Sequence, residues 1–233
     1  MERIPKALIV LTWLTSAVFV VALYLVLIWA PQEAIMGDVQ RVFYFHVAAG
    51  WVGALAFLVT AIVGGIYLAR GEQRWDRIAV SSVEIGIVFT FINIVTGSIW
   101  ARPIWNTWWT WDPRLVTATI MLLIYIAYIM LRQGIEDPDR RARFGAVYGI
   151  VGFISVPLTF LSIRIFRTIH PIVVGSSDPT AAGAFNMTAD MRVAFFFSLF
   201  TFTLIYITLV WHRLRLQQQM EKIEERKLTA ISS

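Results

Sequence analysis

Between Trp100 and Leu115 the chain reads WARPIWNTWWTWDPRL. Trp100, Trp105, Trp108, Trp109 and Trp111 crowd into this stretch with Arg102, Asp112 and Arg114, and they are half of the ten tryptophans in the protein. The chain has only three histidines, His46, His170 and His212, and no cysteine. These residue types define a narrow chemistry. Indole faces offer a flat apolar surface, guanidinium forks hold carboxylates in pairs, and neutral imidazole ligates metals. The absence of cysteine excludes a disulfide framework, a thiolate metal site, a redox dithiol and covalent haem attachment through C-x-x-C-H. Each residue also has a plainer reading. Tryptophan favours the membrane interface, Asp112-Pro113 is a good helix start, and a single histidine at a helix end is most often an ordinary hydrogen-bonding residue.

The elements that must position these residues are readable from composition. Of the 233 residues, 58% are hydrophobic and 15% charged, against roughly a quarter charged in a soluble domain. The charges cluster between long apolar runs, at about residues 7–29, 42–69, 78–100, 115–131, 144–163 and 193–211. Each approaches or exceeds the ~20 residues that cross a bilayer, and backbone in lipid must bond to itself, so each is a helix. The fourth run is the shortest and needs its flanks. The expected fold is therefore an all-α membrane protein: one integral domain over 1–233, with six transmembrane helices. The opening MERIPKALIV leads into about 23 apolar residues and reads as a retained span rather than a signal peptide.

Basic residues orient the bundle. Arg3, Lys6, Arg70, Arg74, Arg77, Arg132, Arg140, Arg141, Arg143, Arg213, Arg215, Lys222, Arg226 and Lys227 fall on one side, and Arg41, Arg102, Arg114, Arg164, Arg167 and Arg192 on the other. The positive-inside rule makes both termini cytoplasmic. The formal charge of +5 is then the signature of cytoplasmic loops in a lipid bilayer, and no nucleic-acid partner is expected. The outer connections are 30–41, 101–114 and the long 164–192, which contains HPIVVGSSDPTAAGAFNMTAD; the cytoplasmic tail is 212–233. The tail reads as a polar helix continuing the last span.

This topology sorts the candidates. His46 starts the second span and His170 follows the fifth, both on the outer side with the tryptophan segment, whereas His212 is at the inner side. Trp105, Trp108 and Trp109 have i, i+3, i+4 spacing, so a short helix along the outer boundary would set them on one face. A large, flat, apolar ligand with acidic groups and a metal atom suits this set. Haem meets each requirement: its iron takes two axial imidazoles and its propionates suit arginine, with Arg41 and Arg114 the leading candidates and Arg102, Arg164 and Arg167 behind them. A quinone leaves the paired histidines unused, and a zinc site leaves the tryptophans unused and lacks further ligands. Glu84 in the third span hints at a proton relay but lies close enough to the inner interface to reach it. Ala49-x-x-x-Gly53 and Gly145-x-x-x-Gly149 are close-packing pairs, and Pro157 is expected to kink the fifth span.

The stretch WARPIWNTWWTWDPRL, with an outer-face histidine on either side and six spans, resembles the WWD-motif haem-handling proteins, and the whole chain resembles the haem exporter protein C (cytochrome c maturation protein C) family. That resemblance implies His46 and His170 as axial ligands of a transient, non-covalent haem b. It implies Trp100, Trp105, Trp108, Trp109, Trp111 and Asp112 as the haem platform. It further implies a non-enzymatic subunit in a bacterial inner membrane that presents haem at the periplasmic face to a periplasmic haem chaperone for c-type cytochrome assembly. The partners implied are an ABC-type ATPase, a permease-like subunit and a small single-span subunit. The chain has no G-x-x-x-x-G-K-[ST] motif, so ATP hydrolysis is expected from another chain. Asn106 stands where the pattern frequently has glycine, and Val116 where it has threonine. The competing functions are a membrane b-type cytochrome subunit, which would bury histidines deep in its spans, and a small-solute permease with a heavy aromatic belt.

Overall fold

The computed structural model describes residues 3–34, 36–171 and 187–232. Its elements are α1 (Lys6–Tyr24), a π-helical turn (Leu25–Trp29), α2 (Gln40–Arg70), α3 (Gln73–Trp105), α4 (Pro113–Gln133), α5 (Pro138–Gly152), α6 (Ser155–Ile165) and α7 (Ala189–Ser232). Among the described residues, six helical segments are long and apolar enough to cross a membrane: Lys6–Trp29, Gln40–Arg70, Gln73–Trp105, Pro113–Gln133, Pro138–Ile165 and Ala189–Glu224. They coincide with the six expected spans. Each runs past its apolar core into flanking charged or polar residues, and the short fourth span gains Pro113, Arg114, Arg132 and Gln133 in this way. The polar tail does continue the last span, as the end of α7.

Local chemistry sets the boundaries. Asp112 caps α4 by accepting from Arg114 N at 2.9 Å, with Pro113 at the first helical position, where its missing N–H costs nothing. Asp137 and Pro138 repeat the device at α5. The fifth span breaks at Phe153–Ile154, between α5 and α6. Pro157 lies just beyond and has no N–H for the carbonyl four residues back; Val156 N bonds Phe153 O instead, at 2.9 Å.

The termini of α1 and α7 share one end of the bundle. Thr12 Oγ1 bonds His212 Nε2 and Thr15 Oγ1 bonds Thr208 Oγ1, each at 2.8 Å. That end is rich in ion pairs. Arg132 holds Asp76 through two bonds of 2.7 and 2.8 Å, and Arg213 Nη2 reaches Glu84 Oε1 at 2.8 Å. The Glu84 carboxylate therefore has a cationic partner on α7 and is not a lone intramembrane acid.

The most intimate contact joins α2 and α3 along a seam of small residues. A Cβ at Gly53 would lie 2.5 Å from Thr90 Oγ1, and one at Gly86 would lie 2.7 Å from the Phe57 ring. Helices without side chains at the crossing approach closely and gain dispersion contacts that lipid cannot replace. This seam carries the second span's histidine to the other end of the bundle, away from the termini. The close-packing pairs read from the sequence are in use: Ala49 is fully buried, and Gly145 and Gly149 face Tyr128 of α4.

Candidate functional site

The tryptophan segment does not form the expected separate short helix. Instead α3 itself runs on through Pro103 to Trp105, and Asn106 ends it in the left-handed conformation, at φ 55°. Asparagine tolerates that region better than most residues. Arg102 braces the turn by donating through Nη1 to Asn106 O at 2.8 Å and to its side-chain Oδ1. Residues 107–112 then return irregularly to the start of α4.

This path splits the five tryptophans. Trp100 and Trp105 on α3 meet edge to face, with ring centres 5.3 Å apart. With Trp109 they line a cleft completed by His46, Asn93, Ile94, Gly97, Ser98, Arg114, Leu115, Ala118 and His170. Trp108 and Trp111 lie outside it, 59% and 84% exposed. The reason is the missing helix: with residues 107–111 irregular, the i, i+3, i+4 spacing no longer puts Trp105, Trp108 and Trp109 on one face.

His46 lies six residues into α2, about 9 Å from its start at 1.5 Å per residue. Its Nδ1 is 2.9 Å from Asn93 O. A carbonyl only accepts, so Nδ1 carries the proton and Nε2 the lone pair. Asn93 Nδ2 returns a bond to His46 O at 2.8 Å, and Gly97 lets the ring lie against α3, since a Cβ there would be 2.9 Å from His46 Cε1. His170 follows α6, and its Nδ1 meets Pro171 O at 3.1 Å, which again leaves Nε2 as the lone-pair nitrogen. Burial, with help from the Arg114 charge, pushes the His170 imidazole down to about 3, so it is neutral at physiological pH. The two rings, remote in sequence, stand with centres 6.5 Å apart and planes 35° apart. Trp105 is edge-on to His170 at 6.3 Å.

Arg114 enters the cleft from the first turn of α4. It donates to Thr159 O and packs its guanidinium over the Phe160 ring at 4.7 Å. Arg41 is placed elsewhere. Its Nη1 donates to Val26 O at 2.5 Å and Ala30 O at 3.3 Å, and its Nε donates to Asp38 Oδ1 at 2.8 Å. The π-helical turn shifts the bonding register and turns carbonyls toward this arginine. Asp112 is buried and does not line the cleft. Of the long loop, residues 172–186 lie outside the described residues.

Sequence reasoning overlooked Asn93 and Gly97, which orient His46, and Thr168, which bonds the His170 segment. Asn93 had a signal, as an amide in an otherwise apolar run. Gly97 and Thr168 had none, because their contacts cross between elements.

The cleft can be tested against an iron macrocycle. Two imidazoles on opposite sides of one metal ion, at ~2 Å per metal–nitrogen bond, have ring centres roughly 6.4 Å apart, close to the observed separation. Trp100 Nε1 is buried without a hydrogen-bond partner, a donor available to a bound acceptor. The walls are mostly aromatic and aliphatic, with Asn93, Ser98 and one guanidinium as further polar groups. Among the described residues no group of three or more His, Cys, Asp or Glu could hold a bare metal ion. The residues fit haem.

Comparison with known proteins agrees with this chemistry. The family described as Heme exporter protein C matches residues 1–229. Heme exporter protein C of Escherichia coli K12 is 33% identical over 211 residues, covering 87% of this chain and 81% of that protein. The protein of the same name from Bradyrhizobium diazoefficiens is 30% identical over 203 residues, covering 86% and 75%. A putative cytochrome c biosynthesis ccmC-like mitochondrial protein of Marchantia polymorpha is 28% identical over 168 residues, covering 72% and 70%. On this coverage and identity, the chain belongs to the Heme exporter protein C family.

Proposed function

We propose that this multi-pass membrane protein handles haem for cytochrome c maturation, binding a transient, non-covalent haem b between His46 and His170 and passing it to a periplasmic haem chaperone. The supporting observation is the pair of imidazoles 6.5 Å apart, each with Nδ1 committed to a carbonyl. A bound haem would supply an iron with two axial positions and two acidic propionates. His46 and His170 would ligate through Nε2. Asn93 and Pro171 would hold the rings in the ligating tautomer, as hydrogen-bonded carbonyls do at metal sites. Trp100, Trp105 and Trp109 would cover the macrocycle, and Arg114 would draw a propionate to this edge of the bundle. Trp108 and Trp111, exposed on the same segment, suit contact with lipid headgroups or with the chaperone. Arg41 supports this end through the π-helical turn rather than as a haem contact.

The basic-residue asymmetry supports cytoplasmic termini and a cleft at the periplasmic side of the inner membrane. Release to a soluble-domain carrier is served by that shallow position. The chain acts as a binding and transfer subunit. The ATPase is a separate ABC-type chain, working with the permease-like and small single-span subunits. The third histidine, His212, bonds Thr12 at the other end of the bundle and is not part of a second pair, which disfavours a transmembrane electron relay. The test is spectroscopy of the purified protein. Wild type is expected to carry a Soret band with a low-spin, two-histidine signature, and His46→Ala or His170→Ala to lose that ligand set. Identical spectra in all three proteins would overturn the assignment.

A further inference from the structure

The two candidate ligands are held very differently. His46 is inside a long helix and packs against α3. His170 is on the non-helical segment after α6, where no helical ladder fixes its position. Among the described residues, bonds from this segment converge on one buried carboxylate. Asp112 Oδ1 accepts from Thr168 Oγ1 at 2.7 Å and from Arg114 N at 2.9 Å, and Oδ2 accepts from Ile169 N at 2.8 Å. Thr168 Oγ1 in turn accepts from His170 N at 3.0 Å. Asp112 is only 7% exposed and both its oxygens are engaged.

We propose that Asp112 is a positioning residue: its carboxylate clips the His170 segment to the start of α4 and thereby sets His170 opposite His46. This rests on the haem-binding reading above. The carboxylate is not a platform group for the macrocycle. It is outside the cleft lining, its acceptor capacity goes to protein donors, and an anion beside propionates would repel them. The aspartate that ends the tryptophan motif thus does two jobs with one side chain. It caps the helix that brings Arg114 to the cleft, and it tethers the segment that brings His170. Because the tether is a few hydrogen bonds and the His46 anchor is a packed helix, the His170 segment is the more readily displaced of the two.

Two substitutions separate the clip from the cap. Asp112→Ser retains a capping oxygen but is too short to reach both Thr168 and Ile169. Thr168→Val keeps Asp112 and the cap intact and removes the hydroxyl link. The first measurement needs no haem: hydrogen exchange at the Ile169 amide of the apo protein in detergent. Exchange is expected to speed up about tenfold or more in Asp112→Ser, as for a lost charge-assisted bond; unchanged protection would overturn the clip. The second is the spin state of the haem-loaded protein. Both variants are expected to shift from low spin toward high spin while keeping haem on His46, and millimolar free imidazole is expected to restore low spin by filling the vacated position. Unchanged low-spin spectra in both variants, or loss of haem with the remaining haem still carrying two histidines, would overturn the positioning role. A wild-type spectrum without two histidine ligands would instead overturn the haem seat itself, and the exchange measurement would still decide the clip.

Discussion

Gly97→Ala is a one-carbon perturbation of the proposed ligand His46 that removes no polar group from the cleft. The added methyl would lie 2.9 Å from His46 Cε1 and 3.3 Å from Nδ1. Carbon atoms in ordinary contact sit ~3.5–4 Å apart, so ring and helix must separate by roughly 0.6–1 Å. That movement would stretch the 2.9 Å bond from Nδ1 to Asn93 O beyond about 3.5 Å, where it no longer counts as a hydrogen bond. Overpacking of this kind costs about 1–3 kcal/mol, and loss of the bond that orients a metal-ligating histidine costs roughly 10–100-fold in affinity. Haem titration followed at the Soret band, with thermal unfolding in the same detergent, would measure both. The matched control is Gly65→Ala on α2, where a Cβ meets nothing within 4 Å. It is expected to leave haem affinity unchanged and to stabilise the helix by about 0.5–1 kcal/mol. Wild-type affinity and stability in Gly97→Ala would refute the tight seam. Equal losses in both variants would refute its specificity for His46.

Two further outcomes follow from the geometry. Arg41→Ala removes a charged donor from the Val26 and Ala30 carbonyls and is expected to lower stability by about 1.5–3 kcal/mol while leaving the haem ligand spectrum unchanged; a selective loss of haem at normal stability would return Arg41 to the binding site. The His170 imidazole, pushed down to about 3 by burial, stays neutral in the fold as the unfolded chain takes up a proton near 6.5. Stability from this group is therefore fully present above about pH 6.5 and declines as pH falls toward 3, so unfolding curves of wild type should weaken more steeply over that window than those of His170→Gln. Parallel curves would contradict the burial of His170.

Much of the bundle was legible because its signals are local. A run of ~20 apolar residues is a span whatever its neighbours do, and Asp112-Pro113 starts a helix through bonds to its own next residues. The coincidence of His46, His170 and the tryptophan segment at one end also followed from counting spans. The finer division of the tryptophans was not legible. The i, i+3, i+4 pattern fits a helix, yet α3 ends at Asn106 after Pro103 and leaves Trp108 and Trp111 outward. Arg41 read as a cleft residue because it sits close to His46 in sequence, but its guanidinium turns back to the end of the first span.

The sequence by itself therefore determined the number and approximate bounds of the membrane spans, their antiparallel order and which candidates share an end, since hydropathy and capping act along the chain. Tertiary structure alone decided which atoms meet. The 6.5 Å spacing of the histidine rings, the seat of His46 against Gly97 and the grip of Asp112 on Thr168 and Ile169 depend on how each helix is rotated about its axis and how closely it approaches its neighbour. Those quantities come from the fit of small residues against large ones across the α2–α3 seam and from hydrogen bonds between remote segments; a pair such as Ala49-x-x-x-Gly53 marks a close approach without naming its partner, and the remote hydrogen bonds leave no periodic trace in a single chain.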